Sequence, residues 1–212
     1  MFYDFVKRTI DITGALVGLS ILAFFFPFVA IAIKTSSPGP IIADVPKRSG
    51  KEGKSFKMYK FRSMIKDAHL LLQSDPKFKK LFAEYKKNSY KLSHDPRVTP
   101  VGNFIRKTSI DELPQFLNVL KGEMSLVGPR AYYPDELVNQ QKAFPETKKY
   151  VRTLLTAKPG MTGTWQVSGR SDISFEKRVK LDANYATKRS ILYDLRIIIL
   201  TFPALLSQKG AV

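Results

Sequence analysis

A chain of 212 residues with 44% hydrophobic and 12% aromatic side chains can bury a real core, which excludes general disorder. Its 35 Lys+Arg against 18 Asp+Glu leave a formal charge of +17, an excess that calls for an anionic partner: nucleic acid, an anionic membrane surface or phosphorylated substrates. With no cysteine and two histidines, His69 and His94, disulfides, thiolate zinc sites and cysteine nucleophiles are excluded, and a Ser/His triad has little to draw on. Chemistry here falls to carboxylates, Lys/Arg, hydroxyls or a metal held by oxygen.

From Ile12 to Ile33 the chain carries no charge for 22 residues. At about 1.5 Å per helical residue that covers roughly 33 Å, enough to cross a hydrocarbon core of about 30 Å. The run is too long for a signal peptide, and Ser36-Ser37-Pro38-Gly39-Pro40 reads as a stiff exit turn rather than a cleavage site. Pro27 lies inside the run and predicts a kink. Lys7 and Arg8 precede it, and residues 34–66 hold nine Lys/Arg and two acids, so both flanks favour the cytoplasm. A helix that enters, bends at Pro27 and returns to the same face satisfies both; a simple span is the alternative.

Beyond Pro40 the sequence reads as mixed α and β. Phe56–Met64 is aromatic-rich and predicts a short strand. Residues 66–91 read as helical, with Phe78, Leu81, Phe82 and Tyr85 at i, i+3, i+4, i+7 among six lysines and one glutamate between 77 and 91. That stripe is either the inner face of a solvated helix or a surface for anionic lipid. His94-Asp95-Pro96 and Thr99-Pro100 mark a turn. Near the end, Ile191–Arg196 leads into an uncharged run through Leu206, too short to span and suited to a buried or an interfacial helix.

The densest group of reactive side chains is Arg106-Lys107-Thr108-Ser109-Ile110-Asp111-Glu112-Leu113-Pro114-Gln115. Ser109 and Glu112 have capping-box spacing, which predicts a helix start at Asp111. Such a position lowers an Asp pKa and attracts phosphate, and neighbouring carboxylates suit Mg²⁺. Gly122–Arg130 closes on a Gly-Pro turn presenting Arg130. Lys158–Arg170, with three glycines, the only tryptophan and two flanking cations, predicts a loop that can approach a ligand closely. Neither a P-loop, a dinucleotide fingerprint nor H-E-x-x-H is present.

Lys7-Arg8-x-x-Asp11 before the Pro-interrupted run, Tyr59–Met64, Arg106–Gln115, Asn118–Arg130 and Pro159-Gly160-x-Thr162-Gly163 together resemble the bacterial sugar transferases, the monotopic polyprenyl-phosphate phosphoglycosyl transferases. The resemblance runs from Lys7 to about Pro203, is most specific between Asp95 and Arg130, and over 66–98 looks closer to the undecaprenyl-phosphate galactose phosphotransferases. Lys158 departs from it, since the family commonly has Arg before Pro-Gly; Lys keeps the charge and loses the bidentate fork.

The resemblance implies an α+β fold, mostly helical, with a re-entrant membrane helix over 1–36 and a cytoplasmic-face catalytic domain over 37–212 carrying interfacial amphipathic helices. It implies transfer of a sugar-1-phosphate from a UDP-sugar to polyprenyl (undecaprenyl) phosphate at the bacterial inner membrane, releasing UMP. That is the first membrane step of a glycoconjugate such as exopolysaccharide or lipopolysaccharide. By position Asp111 would be the nucleophile and Glu112 the Mg²⁺ ligand, with Arg106, Arg130, Arg62, Lys158 and Asp182 as substrate-binding candidates. The partners expected are donor, acceptor and membrane lipid, not nucleic acid, with homo-oligomerisation left open. The physical reading agrees: Mg²⁺ and Arg offset repulsion between a carboxylate nucleophile and a diphosphate. Two rivals stand beside it. A nucleic-acid-binding protein would explain the charge but not the apolar run, and a membrane-surface scaffold would give Asp111-Glu112 no role.

Overall fold

The computed structural model describes residues 2–207 apart from 89, 91, 93 and 170–172, so Lys91 and Arg170 lie outside the described residues. The charge-free run becomes the middle of one 35-residue helix, α1 (Phe2–Ser36), about 52 Å long. The helix continues through Pro27 without being divided by it. One stripe of it is buried: Asp11, Ala15, Gly18, Leu22, Ala30 and Ile33. The opposite stripe, with Leu16, Val17, Phe24, Phe25, Phe28 and Ile31, is exposed.

Two small sheets, nine further α-helices and four short 3-10 helices make up the other regular elements among the described residues. Strands β1 (Arg48–Ser49) and β2 (Ser55–Phe56) form an antiparallel hairpin with Arg48 opposite Phe56. Helices α2 (Ala68–Ser74) and α3 (Lys79–Lys87) follow, then α4 (Pro100–Lys107), a 3-10 helix (Ile110–Gln115) and α5 (Phe116–Lys121). Strand β3 (Ser125–Val127) precedes α6 (Pro134–Ala143) and α7 (Lys148–Leu154). The chain ends with β4 (Gly160–Thr162), α8 (Thr164–Val167), α9 (Phe175–Lys188) and α10 (Ile191–Leu206).

Three sequence expectations change. The strand predicted over Phe56–Met64 is extended chain, with a named strand only at its start and isolated antiparallel bridges from Phe61 to Ile42 and from Met64 to Val98. Its polar groups go elsewhere: the Asn118 side chain accepts from Tyr59 N–H (2.9 Å) and donates to Lys57 C=O (2.8 Å), and Phe61 N–H donates to Asp111 C=O (3.0 Å). The helix predicted over 66–91 breaks at Asp75-Pro76, where the Asp75 carboxylate accepts from Lys77 N–H (2.9 Å). Its apolar stripe faces inward, with Phe78, Leu81 and Phe82 packed on Leu72, Tyr85, Tyr90 and Leu92.

The loop predicted over Lys158–Arg170 is largely ordered: β4 pairs in parallel with β3, Ser125 opposite Gly160 and Val127 opposite Thr162. Two of its three glycines, Gly160 and Gly163, lie where the close approach of the Gly128 backbone leaves no room for a side chain. A Cβ on Gly128 would lie 2.3 Å from Lys158 C=O, and one on Gly163 would lie 2.1 Å from Gly128 C=O.

Both ends of α1 are fastened to the same body. At the N-terminal end Arg8 donates to Val119 and Leu120 C=O, both at 2.7 Å, capping α5. Asp11 accepts from Ser125 Oγ (2.8 Å) and Leu126 N–H (2.9 Å), and Lys7 lies 3.0 Å from Asp194 on α10. At the other end Arg62 holds the exit turn. Between them Ala15 joins a core cluster with Met58, Val119 and Met124, and Leu22 and Ile33 join one with Phe61 and Ile105.

Candidate active site

Asp111 sits in the first turn of the 3-10 helix and is 4% exposed. The capping box expected there does not form: Ser109 adopts a left-handed backbone (φ 58°) and its side chain caps nothing. Lys60, brought in by the extended segment, supplies the local charge. Its Nζ lies 3.1 Å from Asp111 Oδ2 and 3.0 Å from Glu112 Oε1, one ammonium shared by two carboxylates. Contrary to the expectation from a helix start, the Asp111 pKa is raised: burial outweighs the pull of Lys60, and Glu112 adds to the rise. For Lys60 burial works downward, but Asp111 and Glu112 outweigh it and raise its pKa, so the ammonium stays charged.

Arg106, in the last turn of α4, donates from Nε to Ser63 Oγ (2.9 Å). That contact depends on close packing of α4 on the extended segment, because a Cβ on Gly102 would fall 1.8 Å from Ser63 C=O. Arg130 follows β3, and its guanidinium carbon lies 5.1 Å from the Trp165 ring centroid. Its backbone N–H donates to Asp182 Oδ2 (3.0 Å), which also accepts from Tyr132 Oη (2.9 Å). Asp182 is fully buried on α9, and burial pushes its pKa up to about 7 against those two hydrogen bonds. Replacing Asp182 with Ala leaves both donors buried without an acceptor, at a cost of about 1–3 kcal/mol each. The expected result is a fall of about 2–5 kcal/mol in unfolding free energy, measured by denaturant titration in detergent, and looser binding of pyrophosphate. An unchanged midpoint would show that Asp182 does not hold this turn.

Asp111, Glu112, Arg106, Arg130, Lys60 and the backbone around Arg62 line one cleft of about 330 Å³. On another stretch of its wall Arg48 stacks over Tyr133, 3.3 Å from guanidinium carbon to ring centroid. The other proposed binding residues are placed differently. All five Arg62 N–H donors go to the exit turn of α1: Pro40 C=O (2.6 Å), Ser37 Oγ (2.6 Å), Pro38 C=O (2.9 Å), Ser37 C=O (2.7 Å) and Ile33 C=O (3.4 Å). Lys158 is off the cleft, near Gly122 and Arg8, with its pKa lowered by burial and then by Arg8. Asp182 stands behind the wall. Lys60 and Asn118 lie in motifs visible in the sequence, yet nothing there marks them as joining the Asp111 region.

No group of three or more acidic or histidine side chains able to hold a metal occurs among the described residues. The donor set is two hard carboxylates on adjacent residues. That fits Mg²⁺, which commonly takes one or two protein carboxylates and completes its shell with substrate phosphate.

Fold and site together put two carboxylates, the ammonium they share and the guanidinium groups of Arg106 and Arg130 in one cleft of a mostly helical scaffold, beside a helix whose apolar face is exposed. The chain belongs to the bacterial sugar transferase family, whose model matches residues 2–208. It is 44% identical over 208 residues to "Galactosyl transferase CpsE" of Streptococcus agalactiae, covering 97% of this chain and 43% of that protein. It is 43% identical over 211 residues to "Undecaprenyl-phosphate galactose phosphotransferase" of Salmonella typhimurium, covering 98% and 42%. It is also 40% identical over 205 residues to "Exopolysaccharide production protein ExoY" of Sinorhizobium fredii, covering 97% and 87%. The chain thus spans less than half the length of the first two relatives and most of the third.

Proposed function

We propose that this chain transfers a sugar-1-phosphate from a UDP-sugar to a polyprenyl phosphate and releases UMP. The observation that carries the reading is the single cleft in which buried Asp111 and Glu112 share Lys60, with Arg106 and Arg130 on its walls. The Asp111 carboxylate attacks the phosphorus bonded to the sugar. The P–O bond to the UMP moiety breaks, UMP departs with the bonding pair, and an aspartyl-phosphosugar remains. An oxygen of polyprenyl phosphate then attacks the same phosphorus, the bond to Asp111 breaks, and the carboxylate is restored. Lys60, Arg106 and Arg130 offset the negative charge gathered at the phosphoryl group. Mg²⁺ held by Glu112 and the donor phosphates would supply further charge neutralisation.

A lipid acceptor requires a membrane face. Exposed apolar residues of α1, and Leu192, Ile199, Phe202 and Leu206 of α10, support one. Fastening of both α1 ends to one body favours an anchor lying on one side, and the basic flanks favour the cytoplasmic side of the bacterial inner membrane. To test the function, purified protein in detergent is incubated with undecaprenyl phosphate, MgCl₂ and a panel of UDP-sugars, and UMP and lipid-linked sugar are measured. Stoichiometric formation of both with one or more donors is expected. Absence of both across the panel would overturn the reading.

A further inference from the structure

Among the described residues, eight buried side-chain nitrogen or oxygen atoms have no hydrogen-bond partner, and they are not scattered. Four belong to cleft-lining residues: Arg48 Nε, Arg130 Nε, Trp165 Nε1 and Gln166 Oε1. The other four are on Glu136, Arg178 and Asp182, and Asp182 accepts from the Arg130 backbone on that wall. Each such atom costs about 1–3 kcal/mol when left unmade. Elsewhere on the same lining the charged groups are paired within the protein: Lys60 bonds Asp111 and Glu112, and Arg106 bonds Ser63. Around Trp165 and Gln166 the lining atoms have no such partner.

We infer that Trp165 and Gln166 form the subsite that reads the nucleobase of the donor, and that the base they select is an imide such as uracil. This rests on the transferase reading above and extends it to donor specificity. The chemistry of the unpartnered atoms decides the ligand class. An indole N–H and an Arg Nε–H can only donate, while the unpartnered atom of the Gln166 amide is its oxygen, an acceptor. Uracil presents acceptor, donor, acceptor along C2=O, N3–H and C4=O. Gln166 Oε1 receives N3–H, and the Trp165 Nε1–H donates to a flanking carbonyl. Cytosine puts an amino donor where uracil has C4=O and a bare acceptor at N3, so a donor would face the indole donor. Sugar hydroxyls donate and accept alike and give donor-only groups no selective advantage. Gln166 is 6% exposed, so an unpaired partner is not rescued by bulk water. Arg130 sits beside Trp165 and reaches the same cleft as Asp111. The base therefore lies at one end of the donor, with its phosphates running past Arg130 toward Asp111.

Binding of three probes to the full chain in detergent tests this without turnover: UMP, CMP and inorganic pyrophosphate, titrated by calorimetry. The wild type is expected to bind UMP at least about tenfold more tightly than CMP. Gln166→Ala and Trp165→Phe should each weaken UMP about three- to tenfold and shrink the UMP/CMP ratio, with pyrophosphate affinity unchanged. Retained pyrophosphate binding shows that a variant is folded, and either variant alone suffices. A wild-type UMP/CMP ratio near one, or variants with wild-type UMP affinity, would overturn the assignment, as would pyrophosphate weakened as much as UMP. The outcome is separable from the transferase reading: lipid-linked product with no UMP preference sinks the subsite alone, and UMP preference without any sugar transfer sinks the transferase reading alone.

Discussion

Asp111→Asn is expected to lower transfer by a factor on the order of 10⁴ or more while leaving the fold intact. Asn matches the carboxylate in shape, and the backbone C=O of residue 111, which accepts from Phe61 N–H, is untouched by the change. What disappears is the oxygen proposed as the nucleophile. A second loss follows, because Lys60 then faces one carboxylate instead of two. The decisive measurement is rapid quench of enzyme with UDP-sugar and no lipid acceptor. Wild type should release UMP in a burst no larger than the enzyme concentration and gain the mass of one sugar phosphate on the peptide holding Asp111. The Asn variant should show neither. Normal turnover by wild type with no burst and no adduct would replace the covalent route with direct attack by the lipid phosphate.

Removing the ammonium should move the pH dependence as well as the rate. In Lys60→Met, Asp111 and Glu112 lose the ammonium they share, and kcat should fall by at least about a hundredfold. The sign of the pH effect follows from burial. Asp111 already titrates above its ordinary value because burial disfavours its charge, and Lys60 is the first influence opposing that. Without Lys60 the pKa rises further, so the acid limb of kcat/KM, which reports ionisation of the carboxylate pair, shifts to higher pH. Stability moves the same way. A carboxyl whose pKa is raised on folding favours the folded state at low pH and loses that contribution as pH rises through the folded value. The variant should therefore be destabilised more at pH 8 than at pH 5, by an amount approaching about 3–5 kcal/mol at the upper end. An acid limb that stays in place would show that Lys60 does not tune Asp111.

Local signals in the sequence carried much of this arrangement. The length of the apolar run marked α1, and Arg106–Gln115 and Gly122–Arg130 marked groups that do meet in one cleft. What failed was non-local. Ser109 and Glu112 have capping-box spacing, yet a left-handed backbone at Ser109 turns the side chain away from that task. Phe56–Met64 has the composition of a strand, but its polar backbone groups pair with Asn118, Ile41, Ala43, Asp111 and Thr99, partners set by tertiary packing. Arg62 reads as a phosphate binder in the sequence, whereas in the fold its five donors go to Ile33 C=O and to the carbonyls and hydroxyl of the Ser37–Pro40 turn. The helix dipole argued for an acidic Asp111, whereas burial, invisible without the fold, reverses the direction.

Arg62 also bears on how this molecule can be dissected. Its guanidinium grips the end of α1, and its chain neighbour Phe61 donates to the backbone of Asp111. Ala15 and Ile33 are virtually inaccessible within clusters that the rest of the chain cannot close alone. The long helix is a beam of the building, not a mooring rope. Trimming it to obtain a convenient water-soluble fragment strips two cores of a wall and releases the strap beneath Asp111, so reagents for this protein have to accommodate its greasy surface instead of deleting it.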